Sequence, residues 1–83
     1  MDVTERGSIR AFIQTLLRER DVENALDDSD SLFASGWLDS LGAVEVVEFM
    51  EQQFSINVAA QQFSIDRIDS VDAIANFVDS ARG

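Results

Sequence analysis

Cysteine, histidine, lysine, proline and tyrosine are all absent from this chain. Without cysteine there is no disulfide framework and no thiolate metal site. Without histidine the commonest general base and the commonest zinc ligand are missing. With lysine absent as well, no usual partner remains to turn a serine hydroxyl into a nucleophile. The lack of proline means that helices must end at glycines, capping residues and pattern breaks. Long apolar runs are also missing. No stretch approaches the roughly 18–20 residues of a membrane span, and the N-terminus lacks the apolar core of a signal peptide. The expectation is a soluble, cytoplasmic protein with no membrane span and no metal site.

What is present describes one small domain over residues 1–83. A chain of this size buries only about 60–65% of its unfolded surface, so its core has to be built from economical helix packing. Hydrophobic residues make up 46% of the sequence, which argues against wholesale disorder despite a net charge of −10. That charge is unevenly placed. Residues 1–20 hold four arginines against three acids, whereas residues 21–72 hold twelve acids against Arg67 alone. Nucleic acid is repelled by such a field. A basic protein surface is attracted and steered by it.

The apolar spacing predicts helices. The first starts with Ser8 as N-cap, with Ile9, Phe12, Ile13, Leu16 and Leu17 on its buried stripe and Arg10, Gln14, Arg18 and Glu19 on its polar face. Residues 24–38 read as a long loop. Asp27, Asp28, Ser29, Asp30 and Ser31 favour turns, Leu32 and Phe33 pin the loop to the core, and Ser35-Gly36 marks another turn. A second helix runs from about Ser40 to Gln53. At about 100° per residue, Ala43, Val46, Val47, Met50 and Phe54 share a core face, and Leu41, Val44, Glu45, Glu48, Glu51 and Gln52 share the opposite one. Leu41 and Val44 therefore form a small apolar patch on an acidic surface, which reads as a docking site. A turn follows at Phe54-Ser55, and then Ile56 and Val58. Residues 59–68 suggest short helical turns with Phe63, Ile65 and Ile68 pointing inward. A last helix begins near Asp69-Ser70, buries Val71, Ile74, Phe77 and Val78, and frays at Ala81-Arg82-Gly83. The predicted fold is all-α: a small four-helix bundle of three main helices and a short third one, with a long loop between helices 1 and 2.

The unusual stretch is Gly36-Trp37-Leu38-Asp39-Ser40-Leu41. It sets one serine at the start of an acidic amphipathic helix with no catalytic partner. Such a hydroxyl suits modification better than catalysis. A helix N-terminus has free N–H groups and the positive end of a dipole, so it accommodates a phosphodiester on Ser40. The plainer reading makes Ser40 an N-cap and nothing more.

This stretch, with Val44-Glu45-Val46-Val47 behind it, resembles the attachment signature of acyl, peptidyl and aminoacyl carrier proteins. The likeness covers essentially the whole chain: a first amphipathic helix, a loop anchored by Leu32-Phe33, a helix ending at Phe54, a short third helix and a closing Asp69-Ser70-Val71 helix. The resemblance implies that Ser40 is esterified with 4'-phosphopantetheine from coenzyme A and that acyl or aminoacyl groups ride on the arm as thioesters. It implies no catalytic residues and no turnover of the chain's own. It implies as partners a phosphopantetheinyl transferase, a ligase that loads the thioester, and acyl-consuming enzymes with basic docking surfaces. It assigns Asp39 to transferase recognition, and Leu41, Val44, Glu45, Glu48, Glu51 and Gln52 to docking. A monomer is expected. Glu48 stands where fatty-acid carriers usually have an apolar contact. Phe63–Ile68 makes a longer connection than theirs, and Gly42 follows the Asp-Ser-Leu tripeptide. These departures resemble stand-alone D-alanyl and aminoacyl carriers, or carriers of specialised pathways.

Other readings are weaker. No pattern singles out a buried carboxylate pair for acid–base catalysis. Asp28-Ser29-Asp30 looks like the opening of a calcium loop, but its fifth and sixth positions are Leu32 and Phe33, where an oxygen ligand and a glycine are needed. The alternative that stays open is a non-catalytic acidic helical interaction domain in which Ser40 is only a helix N-cap.

Overall fold

The computed structural model describes residues 3–22, 25–58 and 64–82. It contains α1 (Val3–Glu19), α2 (Ser40–Phe54), a 3-10 helix (Ile65–Ile68) and α3 (Val71–Arg82). Among the described residues there is no strand. The fold is all-helical as expected, but the described residues form three α-helices and a four-residue 3-10 helix rather than a four-helix bundle.

One cluster of buried side chains joins the elements: Ile9, Ile13, Leu16 and Leu17 from α1, Ala43, Val46 and Met50 from α2, Ile68 from the 3-10 helix, and Val71, Ile74, Ala75, Phe77 and Val78 from α3. The periodic positions of α1 and α3 are thus buried as expected. Phe12 is only half-buried, because its ring stacks on Phe49 of α2 at 4.2 Å between centroids. Val47 and Phe54 also sit at the rim of the core rather than within it. The 3-10 helix buries Ile68 but leaves Ile65 42% exposed. Those two residues stand one turn apart, about 6 Å along the axis, and only the Ile68 end joins the core. Phe63 lies outside the described residues.

α1 starts at Val3, so Ser8 is not its cap. Gly7 interrupts the sequence pattern, but its position is open and a helix tolerates it there. Tertiary ion pairs hold the early turn: Glu5 with Arg82, and Arg6 with Asp28 at 3.1 Å and Asp72 at 2.5 Å. The same Glu5–Arg82 pair keeps α3 helical through Arg82, where fraying was expected. Arg10, placed on the polar face by its spacing, turns to the loop. It donates to the Leu26 carbonyl at 2.6 Å and pairs with Asp28 at 2.9 Å.

The loop before α2 is bonded into place. Leu26, Leu32 and Leu38 are buried, and Phe33 and Trp37 pack at the edge of the core. Asp69 is the loop's chief anchor. Its carboxylate accepts from Ser31 Oγ at 2.5 Å, from the Phe33 N–H at 2.7 Å and from the Ala34 N–H at 3.3 Å, while its carbonyl accepts from the Leu32 N–H at 2.6 Å. Burial pushes the Asp69 carboxyl up, but hydrogen bonds from Ser31 and the backbone of Phe33, Ala34 and Leu32 outweigh it and hold the group below the usual carboxylate range. A second clasp runs from the Asp72 N–H to the Asp28 carbonyl at 3.0 Å. Gly36, with φ +87°, takes the left-handed turn that sends the chain towards α2.

Candidate functional site

The loop delivers Leu38 into the core, and the next residue caps α2. Asp39 has extended backbone (φ −109°, ψ −171°), and its Oδ1 accepts from the Gly42 N–H at 2.9 Å. Ser40 is already the first helical residue. The plainer reading, in which Ser40 is the N-cap, is therefore corrected: a cap needs non-helical backbone and an oxygen aimed at the first turn, and Asp39 supplies both. Ser40 is exposed, and its hydroxyl makes no hydrogen bond among the described residues.

The Gly42 N–H holds the Asp39 carboxyl below its ordinary range. Desolvation opposes this, and the charge of Arg20 adds to it. Gly42 is needed for close approach. A Cβ there would lie 3.2 Å from Leu38 Cβ and 3.5 Å from Arg20 Nη2.

The outer face of α2 carries the exposed apolar pair: Leu41 is 61% and Val44 51% exposed. Glu48 and Gln52 are exposed beside them, while Glu45 and Glu51 are half-buried. The four acidic and amide positions are thus unequal. Glu51 Oε2 accepts from the Val58 N–H at 3.1 Å and holds the chain that leaves α2. Glu45 lies 3.7 Å from Arg20. Glu48 makes no ion pair among the described residues.

Two depressions flank this ridge. A cleft of about 360 Å³ lies towards α1, between Phe12, Leu16 and Phe49 with Glu19, Glu45 and Glu48 around it. A smaller one of about 190 Å³ lies on the other flank, against Ala43, Val44, Val47 and Glu48. Spacing alone missed Phe49. Its place on the wheel falls between the core and outer faces, and only the Phe12 ring opposite explains it. Spacing also missed Arg20, which has no periodic signature.

The site fits a phosphate ester. Its serine oxygen is uncommitted. The Ser40 and Leu41 N–H groups in the first turn have no intrahelical acceptor, and the dipole there favours an anion. Among the described residues no group of three or more metal-binding side chains occurs, and Asp28 is committed to Arg6 and Arg10. Among the described residues no helix is long and apolar enough to cross a membrane.

Comparison with known proteins agrees with this geometry. The family described as phosphopantetheine attachment site matches residues 8–78. The D-alanyl carrier protein of Streptococcus sanguinis (strain SK36) is 32% identical over 82 residues, covering 99% of this chain and 98% of that protein. That of Streptococcus gordonii is 33% identical with the same coverage. That of Streptococcus suis (strain 05ZYH33) is 35% identical over 78 residues, covering 94% and 92%. No solved structure gives a significant match. A match along nearly the full length, with the serine free at the head of α2, leads to one conclusion: this chain belongs to the phosphopantetheine-attachment family of carrier proteins, which hold their cargo as a thioester on covalently bound 4'-phosphopantetheine.

Proposed function

We propose that Ser40 is the residue that carries the 4'-phosphopantetheine arm, and that residues 1–83 act as one monomeric carrier domain in the cytoplasm, where coenzyme A is available. The observation that carries this reading is an exposed, uncommitted Ser40 hydroxyl on the first residue of α2, next to a carboxylate that already caps the helix. Once attached, the arm supplies a terminal thiol, which explains how a chain without cysteine can hold a thioester. The chain's own residues contribute placement. Asp39 fixes the start of the helix and offers the transferase a carboxylate beside the accepting hydroxyl. Leu41 and Val44 offer an apolar contact. Glu48 and Gln52 border it, and Glu45 and Glu51 stand at its margins. The protein has no turnover of its own.

Its partners are a phosphopantetheinyl transferase, a loading ligase and acyl-consuming enzymes, each with a basic docking surface to match the acidic face of α2. The cargo is an acyl or aminoacyl group. The names of the relatives favour a small amino acid such as D-alanine.

Intact mass tests the reading. Incubation with coenzyme A, magnesium and a broad-specificity transferase adds one phosphopantetheine to the wild type and none to Ser40→Ala. Modification of the folded Ser40→Ala variant, or none of the wild type, rejects the assignment. Loading of the modified protein with candidate acids and amino acids then identifies the cargo.

A further inference from the structure

Arg20 is brought to the attachment end of α2 by the way α1 ends. Val22 donates to the Leu17 carbonyl at 2.9 Å and Asp21 to the Arg18 carbonyl at 3.1 Å, with Asp21 in left-handed backbone at φ 59°. This is the double hydrogen-bond pattern of a Schellman cap, usually built on glycine. It makes Arg20 the C-cap residue and fixes where its side chain begins. The guanidinium folds over the helix end. Nη1 donates to the Leu16 carbonyl at 3.2 Å, and Nη2 lies 3.5 Å from Asp39 Oδ1 and 3.7 Å from Glu45 Oε2. The side chain is only 21% exposed.

This placement is unusual in sign. The positive end of the α2 dipole opposes a cation beside it. Arg20 stays there because two carboxylates and a carbonyl at the negative end of α1 surround it. Asp39 Oδ1 is consequently engaged from two sides, by the Gly42 N–H at 2.9 Å and by the guanidinium. Both partners hold the same carboxylate oxygen next to Ser40.

We propose that Arg20 is a positioning residue for arm transfer: by bridging the end of α1 to Asp39 and Glu45, it sets the orientation in which the Asp39 carboxylate and the Ser40 hydroxyl meet the transferase. This rests on Ser40 being the attachment residue. Arg20 does not touch the reacting atoms. A carboxylate swung away by about 1 Å costs far more in the chemical step than in binding, so the effect falls on kcat. The planar fork holds the Leu16 carbonyl with Nη1 while Nη2 faces both carboxylates, whereas lysine offers only a point charge.

The test uses the full chain as wild type, Arg20→Gln and Arg20→Lys, with circular dichroism to confirm folding. Two readouts are taken: the Asp39 carboxyl titration by NMR, without any enzyme, and steady-state phosphopantetheine transfer from coenzyme A followed by intact mass. In Arg20→Gln, Asp39 titrates at higher pH than in the wild type. Its kcat for transfer falls about tenfold, while KM changes by less than about twofold. Arg20→Lys restores most of the titration and part of the rate. A folded Arg20→Gln with unchanged titration and kcat overturns the proposal. So does a loss confined to KM, which would make Arg20 only part of the docking field. If Arg20→Gln does not fold, Arg20→Lys decides: wild-type kcat with an unshifted Asp39 requires only charge and rejects the fork geometry, whereas a lowered kcat in the folded variant supports it. A wild type that accepts no phosphopantetheine rejects the Ser40 assignment instead, and the titration still decides whether Arg20 holds Asp39.

Discussion

Replacing Asp69 with alanine removes the acceptor that holds the loop before α2. Two short charge-assisted bonds are lost, from Ser31 Oγ at 2.5 Å and the Phe33 N–H at 2.7 Å, together with a longer one from Ala34 at 3.3 Å. Hydrogen bonds to charged groups contribute about 1.5–3 kcal/mol each, and such terms do not add fully within one cluster. The expected loss is therefore about 3 kcal/mol. The whole domain, at 83 residues, is held by about 4–12 kcal/mol. With a urea slope near 1–1.5 kcal/mol/M, the unfolding midpoint falls by about 2–3 M. Trp37, the single tryptophan, sits in this loop, so its fluorescence reports on the loop while far-UV circular dichroism reports on the helices. Asp69→Asn keeps one carbonyl oxygen and loses the charge, so its midpoint falls less. The acid response separates the two roles of the group. Its folded pKa is depressed, so its stabilisation is fully present above the unfolded value of about 3.9 and is lost as pH falls through the folded value. Asp69→Asn therefore flattens the acid limb of the stability curve. An alanine variant with its midpoint within about 0.3 M of the wild type, or an asparagine variant with an unchanged acid limb, refutes the anchoring role.

The capping assignment predicts that Asp39→Ala lowers stability more than Ser40→Ala, which stays within about 0.5 kcal/mol of the wild type; urea titrations of both variants check the order, and equal losses refute it. Glu48→Lys slows association with the proposed loading ligase at low ionic strength and weakens its salt dependence, because Glu48 has no ion pair among the described residues to absorb the change; stopped-flow rates measure this, and equal rates remove Glu48 from the proposed docking face. Glu51→Gln acts chiefly through the chain it tethers at Val58, giving a small stability loss of about 1 kcal/mol and a nearly unchanged on-rate. Phe77→Ala, at a position 1% exposed, costs about 3–5 kcal/mol by thermal or urea unfolding; a loss under about 1 kcal/mol places Phe77 outside the core.

The amphipathic stripes were legible in sequence because each encodes its buried face in its own spacing. Ile9, Ile13, Leu16 and Leu17 read correctly, as did Val71, Ile74, Phe77 and Val78, and the exposure of Leu41 and Val44 followed from the wheel alone. Features set by partners far along the chain were not legible. α1 starts early because Glu5 and Arg6 meet Arg82, Asp28 and Asp72, and nothing within residues 1–8 carries that information. Serine and aspartate are near-equal caps, so choosing between Asp39 and Ser40 required the backbone angles. The roles of Arg20 and Glu51 were hidden for a related reason. Both look like ordinary surface charges until the chain brings Asp39 and Val58 to them.

The division of labour between Asp39 and Ser40 has a consequence for how the carrier is read by others. The hydroxyl proposed to receive the ester, that of Ser40, is spare. Its esterification breaks no bond that the fold depends on, because the helix is started by the neighbouring carboxylate. Bare, armed and loaded forms can therefore share one backbone and show successive enzymes the same face. An enzyme that must tell such forms apart would then have to read the tethered group itself.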